Sequence, residues 1–120
     1  MALKNWWWGR SSIINLHGCD KKMLKDPKAI KIFVIELCKL LKMKRVGPMR
    51  IKRFGHGRLL GYSMMQFIET SSIVAHFDEY ADRAFIDIFS CKEYNTKNAI
   101  DFCKRYFKAK SASSYVKERI

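Results

Sequence analysis

Proline and glycine are scarce in this 120-residue chain, at two and six residues, while apolar residues make up 48% of it. That balance excludes a disordered or linker-like chain, which is poor in apolar residues and rich in Pro, Gly and charge. Long hydrophobic runs are also missing. No stretch approaches the roughly 20 uninterrupted apolar residues of a membrane-spanning helix, so no membrane segment is expected. The N-terminus, MALKNWWWGR, lacks the apolar core and small-residue cleavage site of a secretory signal, which makes the cytoplasm the expected compartment. The four cysteines, Cys19, Cys38, Cys91 and Cys103, lack the CxxC and Cys/His spacings of metal sites; no metal is expected, and they read as thiols. Repeats, linkers and low-complexity segments are absent. One domain over residues 1–120, with a modest core, follows from the length.

Acidic residues are in short supply, 11 against 24 Lys and Arg, for a net charge of +13. Such a charge attracts polyanions, nucleic acid or an anionic lipid surface among them. The lysines are scattered along the chain and form no dense run, the pattern of a solvated surface. A nucleic-acid partner stays open as a rival reading.

The run Arg10 to Leu16, RSSIINL, is β-branched and apolar up to the break at Gly18, and reads as a strand. Asp26-Pro27 is a helix start, after which Ile30, Phe33, Val34, Leu37 and Leu41 recur at three- and four-residue steps. Gly47-Pro48 closes that segment, and MRIKRF after it alternates as a half-buried strand. Past a turn at Gly55 to Gly57, three strand-like runs follow: Leu59 to Phe67, Ser72 to Phe77 and Ala84 to Phe89. Asn95 or Thr96 caps a second helix with Ala99, Phe102, Cys103, Tyr106 and Phe107 on its apolar face, and SSYVKERI supplies a last strand. The predicted fold is α+β, a two-layer α/β sandwich: a mainly antiparallel sheet with two helices on one face and the other face free to pair.

The polar residues of the middle region have ordinary explanations one by one. A serine at a strand edge bonds a turn, a histidine sits half-exposed in a sheet, and a buried cysteine behaves as a small hydrophobe. Together they form ordered motifs: Gly9-Arg10, Leu16-His17-Gly18-Cys19-Asp20, Phe54, Gly61-Tyr62-Ser63, and Ala84-Phe85-Ile86-Asp87-Ile88-Phe89-Ser90-Cys91. In order and spacing these resemble the bacterial and archaeal S-adenosylmethionine decarboxylases over most of the chain. Ser63, Ser71, His76 and Cys91 stand, without a gap, at the intervals of that family's catalytic residues.

The resemblance implies a proenzyme that cuts itself between Thr70 and Ser71 into pieces 1–70 and 71–120 and turns Ser71 into a pyruvoyl cofactor. Ser63 and His76 would handle protons for the cut, and Cys91 would return a proton to the substrate α-carbon. The implied substrate is S-adenosylmethionine, decarboxylated to the aminopropyl donor of spermidine synthesis; arginine or ornithine are alternatives within the class. A non-catalytic relative, either a regulatory partner or a basic nucleic-acid-binding domain, is the alternative outside it. Phe54 could face the substrate sulfonium through its ring, although its ordinary reading is a core phenylalanine, and Glu79 is the acidic candidate for substrate binding. Trp6 to Trp8 could line the same pocket or a dimer interface. Homodimers with sheets packed face to face and active sites between protomers are implied as well. Relatives carry glutamate before the precursor serine and histidine after it, where this chain has Thr70 and Ser72, so Ser72 is a second candidate precursor; Tyr80 stands at the family's acidic substrate position.

Overall fold

A computed structural model describes residues 6–120. The reading of the N-terminal leader falls mostly on residues 1–5, outside the described ones. Six strands and three helices follow in the order β1 (Gly9–His17), α1 (Lys21–Leu24), α2 (Pro27–Leu40), β2 (Arg45–Phe54), β3 (Gly61–Ile68), β4 (Ser71–Asp78), β5 (Arg83–Ser90), α3 (Thr96–Tyr106) and β6 (Ser111–Arg119). Every neighbouring pair in the sheet is antiparallel, and the spatial order is β2-β3-β4-β5-β1-β6. Among the described residues no helix is long and apolar enough to cross a membrane. The four cysteines are free thiols, three of them buried.

Local chemistry sets the helix starts. Asp26 caps α2 by accepting from the Lys28 N–H at 2.9 Å, with Pro27 at the first helical position, where its missing N–H costs nothing. Asn95 does the same for α3 through Asn98 N–H, also at 2.9 Å. Helix α2 buries Ile30, Phe33, Val34, Leu37 and Cys38, and α3 buries Ala99 and Cys103. These meet one sheet face: Ile14 and Leu16 of β1, Met64 of β3, Ile73, Ala75 and Phe77 of β4, and Ile86 and Ile88 of β5. Phe107 just past α3 ties the layers together, its ring centre 4.7 Å from that of Phe33 and 5.4 Å from that of Phe77. Aromatic pairs at this spacing add about 0.5–1.5 kcal/mol each beyond the area they bury.

Among the described residues, none of α1, α2 and α3 covers the opposite face. Side chains alternate across each strand, so this face carries Ile13, Met65, Phe67, Val74, Phe85, Phe89 and Tyr115, several of them exposed, with Phe67 at 70%.

Three sequence expectations are corrected. Gly47-Pro48 does not end a segment but lies inside β2, which starts at Arg45. The strand tolerates them because β2 is a sheet edge with a bulge between Val46 and Arg50, where proline's missing donor is not needed. The buried Gln66 amide fills the gap, donating to the carbonyls of Val46 and Gly47 at 3.2 Å. The turn after Phe54 continues into a short 3-10 helix, Gly57–Leu59, so β3 begins at Gly61 and not at Leu59. Helix α1, capped by Asp20 onto Lys22 N–H at 2.9 Å, was not anticipated, because four residues are too few to show periodicity.

Candidate active site

Ile68 pairs with Ser71 across the β3–β4 hairpin, leaving Glu69 and Thr70 as its turn. Thr70 has φ +53°. In that left-handed region a β-branched side chain crowds the backbone, at a cost of roughly 1–2 kcal/mol. The strain therefore sits on the residue whose carbonyl precedes Ser71.

Ser71 opens β4, is 9% exposed, and lies beside Ser90 of β5. Its Oγ accepts the Cys91 backbone N–H at 3.1 Å and stands 4.0 Å from the Cys91 sulfur. A donor aimed at a hydroxyl oxygen stabilises the alkoxide that oxygen becomes when a base takes its proton before attack. Gly9 of β1 leaves room for this corner: a Cβ there would lie 2.7 Å from the Ser90 carbonyl oxygen. A cleft of about 500 Å³ opens over the turn, lined by Val46, Phe67, Thr70, Ser71, Ser72 and Phe89. Trp8 stacks on Phe89 at its rim, ring centres 5.7 Å apart. Ser72, one residue on, points to the uncovered face, away from the Cys91 N–H.

Ser63 and His76 are directly opposed on β3 and β4, with Ser63 Oγ 2.7 Å from His76 Nδ1. They border a second cleft of about 340 Å³, together with Phe54, Arg58, Tyr62, Arg83 and Phe85. Phe54 is 53% exposed, which corrects its ordinary reading as a core residue and puts it at the cleft.

The sequence pattern grouped four residues, and the chain brings them together only in pairs. His76 lies five positions along β4 from Ser71, a span of roughly 16 Å at the rise of a strand. Glu79 is not among the residues lining either cleft. Both its oxygens are taken by the Arg53 guanidinium, at 2.8 and 2.7 Å, and that bond pulls its carboxyl below the usual range. Tyr80 is an exposed turn residue whose N–H is held by Asp78 at 3.0 Å.

Thr70→Gly tests whether the strain is used. If part of the cost is released as the Thr70-Ser71 peptide breaks, glycine slows the break roughly tenfold, as expected for about 1.4 kcal/mol. Intact mass against time measures it; an unchanged half-time would show that the strain is idle.

Thr70 at positive φ before Ser71, the Cys91 thiol beside that serine and the separate Ser63–His76 pair are the residues for which the resemblance implies a self-cutting decarboxylase. Known proteins narrow the class. The family profile of S-adenosylmethionine decarboxylase matches residues 10–119, and the chain belongs to that family. It is 28% identical over 107 residues to the S-adenosylmethionine decarboxylase proenzyme of Pyrococcus furiosus, covering 87% of this chain and 73% of that protein. It is 26% identical over 112 residues to the arginine decarboxylase proenzyme of Caldivirga maquilingensis, covering 92% and 83%. In fold it is similar to the crystal structure of the adenosylmethionine decarboxylase from Aquifex aeolicus, with a TM-score of 0.80 at 17% identity over 94% of this chain and 91% of that one.

Proposed function

We propose that the chain cuts itself between Thr70 and Ser71, turns Ser71 into a pyruvoyl group, and decarboxylates S-adenosylmethionine as a homodimer. The observation that carries this reading is the Ser71 corner: a hydroxyl held by the Cys91 N–H, next to a strained Thr70. Attack of Ser71 Oγ on the Thr70 carbonyl carbon exchanges the peptide C–N bond for an ester and frees the Ser71 amine. Loss of the Ser71 α-proton then breaks the Cβ–O bond and releases the Thr70 carboxylate. The dehydroalanine left behind tautomerises, takes up water and loses ammonia to give the pyruvoyl end. When formed, this carbonyl supplies the electron sink for losing CO2. Ser71 opens β4 at the mouth of the larger cleft, so the group fits there without displacing core residues.

The homodimer answers the separation of the two pairs. Two-fold pairing of the uncovered faces sets the cleft beside Ser71, which reaches that face at Phe67, Ser72 and Phe89, against the partner's Ser63 and the partner's His76, the Ser71 side chain itself starting on the helix side of β4. Burying Phe67, Met65 and Ile13, all more than 40% exposed, drives that association. The Ser–His pair then handles protons for the cut, and Cys91 returns one to the α-carbon after CO2 leaves.

The aromatic rings of Phe54 and Tyr62 at the Ser–His cleft suit a sulfonium cation, while the Phe85 ring already faces the Arg83 guanidinium carbon, 5.3 Å from its centre. Arginine is the second reading, favoured by the Caldivirga maquilingensis relative. Against it, the Glu79 carboxylate that could receive a substrate guanidinium is already forked onto Arg53. A non-catalytic, polyanion-binding relative would leave the Thr70 strain and the Ser71–Cys91 contact without a use. Incubation with carboxyl-labelled S-adenosylmethionine or arginine decides among these. Label released as CO2 from S-adenosylmethionine, at roughly a hundredfold preference, is expected. The opposite preference would make arginine the substrate, and no release from either would end the enzyme reading.

A further inference from the structure

A network between β1, β6 and the loop after β5 takes no part in the chemistry above. Arg10 of β1 sits opposite Glu118 of β6 in register, and its Nε donates to the two Glu118 oxygens at 3.1 and 2.8 Å. Trp7 Nε1 donates to the same carboxylate at 2.7 Å. Arg10 also reaches the loop, where its Nη1 donates to the Tyr94 carbonyl at 3.0 Å and its guanidinium carbon lies 5.8 Å from the Tyr94 ring centre. Tyr94 is 7% exposed, and its hydroxyl bonds to Ser12, the next helix-facing residue of β1. Tyr94 is therefore held at both ends by β1, its carbonyl by Arg10 and its phenol by Ser12.

Tyr94 belongs to the short connection 91–95 from β5 to α3, which carries Cys91 at its start. Ser90 folds that start back, accepting from Lys92 N–H at 2.9 Å and donating to the Lys92 carbonyl at 2.8 Å. Asn95 fixes the far end as the cap of α3. Cys91 has two groups to aim, its N–H at Ser71 Oγ and its sulfur beside the same oxygen. Only Lys92 and Glu93 lie between Tyr94 and Cys91 in this connection.

We propose that Arg10 is a positioning residue for Cys91: by holding Tyr94, with Glu118 balancing its charge, it sets the loop so that the Cys91 N–H stays on the Ser71 hydroxyl. This rests on the decarboxylase reading, in which that bond serves the self-cut. Arg10 touches none of the reacting groups. The competing role for Arg10 is a clasp that fastens β6 to β1. A clasp needs only opposite charges at positions 10 and 118, whereas positioning needs a donor at 10 aimed at the Tyr94 carbonyl.

The test uses the full-length chain with Arg10→Met, Arg10→Lys, and the exchange pairing Arg10→Glu with Glu118→Arg. Three quantities are read: the self-cleavage half-time by intact mass, the rate at which iodoacetamide alkylates Cys91, and Tm. Cys19, Cys38 and Cys103 are at most 6% exposed, so alkylation reports on Cys91. Arg10→Met is expected to slow the cut roughly a hundredfold, the scale of a 1 Å misplacement, and to speed alkylation. Arg10→Lys falls in between and serves alone if the Met variant does not fold. The exchange restores neither rate, because a carboxylate at position 10 cannot donate to a carbonyl. Wild-type cleavage and alkylation in the exchange, or in Arg10→Met with only a lowered Tm, would overturn the proposal in favour of the clasp. If the wild-type chain itself stays uncut, the decarboxylase reading fails separately. Alkylation then decides alone: a faster rate in Arg10→Met upholds the control of Cys91, and an unchanged rate overturns it.

Discussion

Ser71→Ala leaves the chain in one piece, whereas the wild-type chain resolves by intact mass into fragments 1–70 and 71–120, the second beginning with a carbonyl in place of an amine. The effect is all or none because, among the described residues, no hydroxyl other than that of Ser71 follows a residue with positive φ. A serine hydroxyl is a weak nucleophile at its ordinary pKa and needs both a destabilised target and help with charge. At Ser71 the target is the Thr70 carbonyl, on a backbone with φ +53°, and the help is the Cys91 N–H at 3.1 Å. Ser72 has neither, since it lies on the other side of β4, so Ser72→Ala cuts as the wild type does. A cut that survives in Ser71→Ala and vanishes in Ser72→Ala would move the cofactor one residue along. A wild-type chain still whole after long incubation would remove the cofactor altogether.

The second large effect is rescue in trans. Ser71→Ala cannot be cut, but it keeps Ser63 and His76; His76→Ala keeps Ser71 but lacks the proton handler. Each expressed alone stays whole. Expressed together they form mixed dimers, and in those the His76→Ala chain is cut, because the Ser71→Ala chain supplies the missing histidine. The argument rests on distance. Roughly 16 Å of strand lie between Ser71 and His76 within one chain, several times the reach of a hydrogen bond, and a rigid sheet does not shorten it. Mass spectrometry distinguishes the outcomes, since the two variants differ in mass. Cutting of His76→Ala only when its companion is present means that each site is shared between protomers. If His76→Ala is cut on its own, His76 has no part in the step; if the mixture stays whole, the sheets do not pair in this way.

Much of the fold was legible because its signals are local. Asp26-Pro27 and the apolar stripe Ile30, Phe33, Val34, Leu37 define α2 from within, and the alternation in RSSIINL and AFIDIFS defines β1 and β5. Gly47-Pro48 misled for the opposite reason. What lets them sit in a strand is β2's place at the sheet edge and the Gln66 amide reaching across from β3, and neither shows in the local pattern. The candidate site divides in the same way. Ser63, Ser71, His76 and Cys91 were identified by spacing, but spacing does not say that they fall into two distant pairs. That follows only once residues 71–78 are known to be one unbroken strand. Arg10 lies 84 positions from Tyr94 and 108 from Glu118 in the chain, and their contact exists only because β1 runs beside β6 and starts next to the β5–α3 loop.

The strand order has a consequence for what the proposed cut would leave behind. β1, β2 and β3 belong to the first fragment, and β4, β5 and β6 to the second, yet in space β1 lies between β5 and β6. The two products are interleaved like the fingers of clasped hands, each filling a gap in the other's sheet. Neither can leave without stripping strands from both, so the nicked protein persists as one body although only non-covalent bonds join its halves. The turn before Ser71 and the Cys91 loop meet through β3, β4 and β5 alone, so the proposed cut needs only that meander to have formed, while the interleaving with β1 is what would hold its two products together.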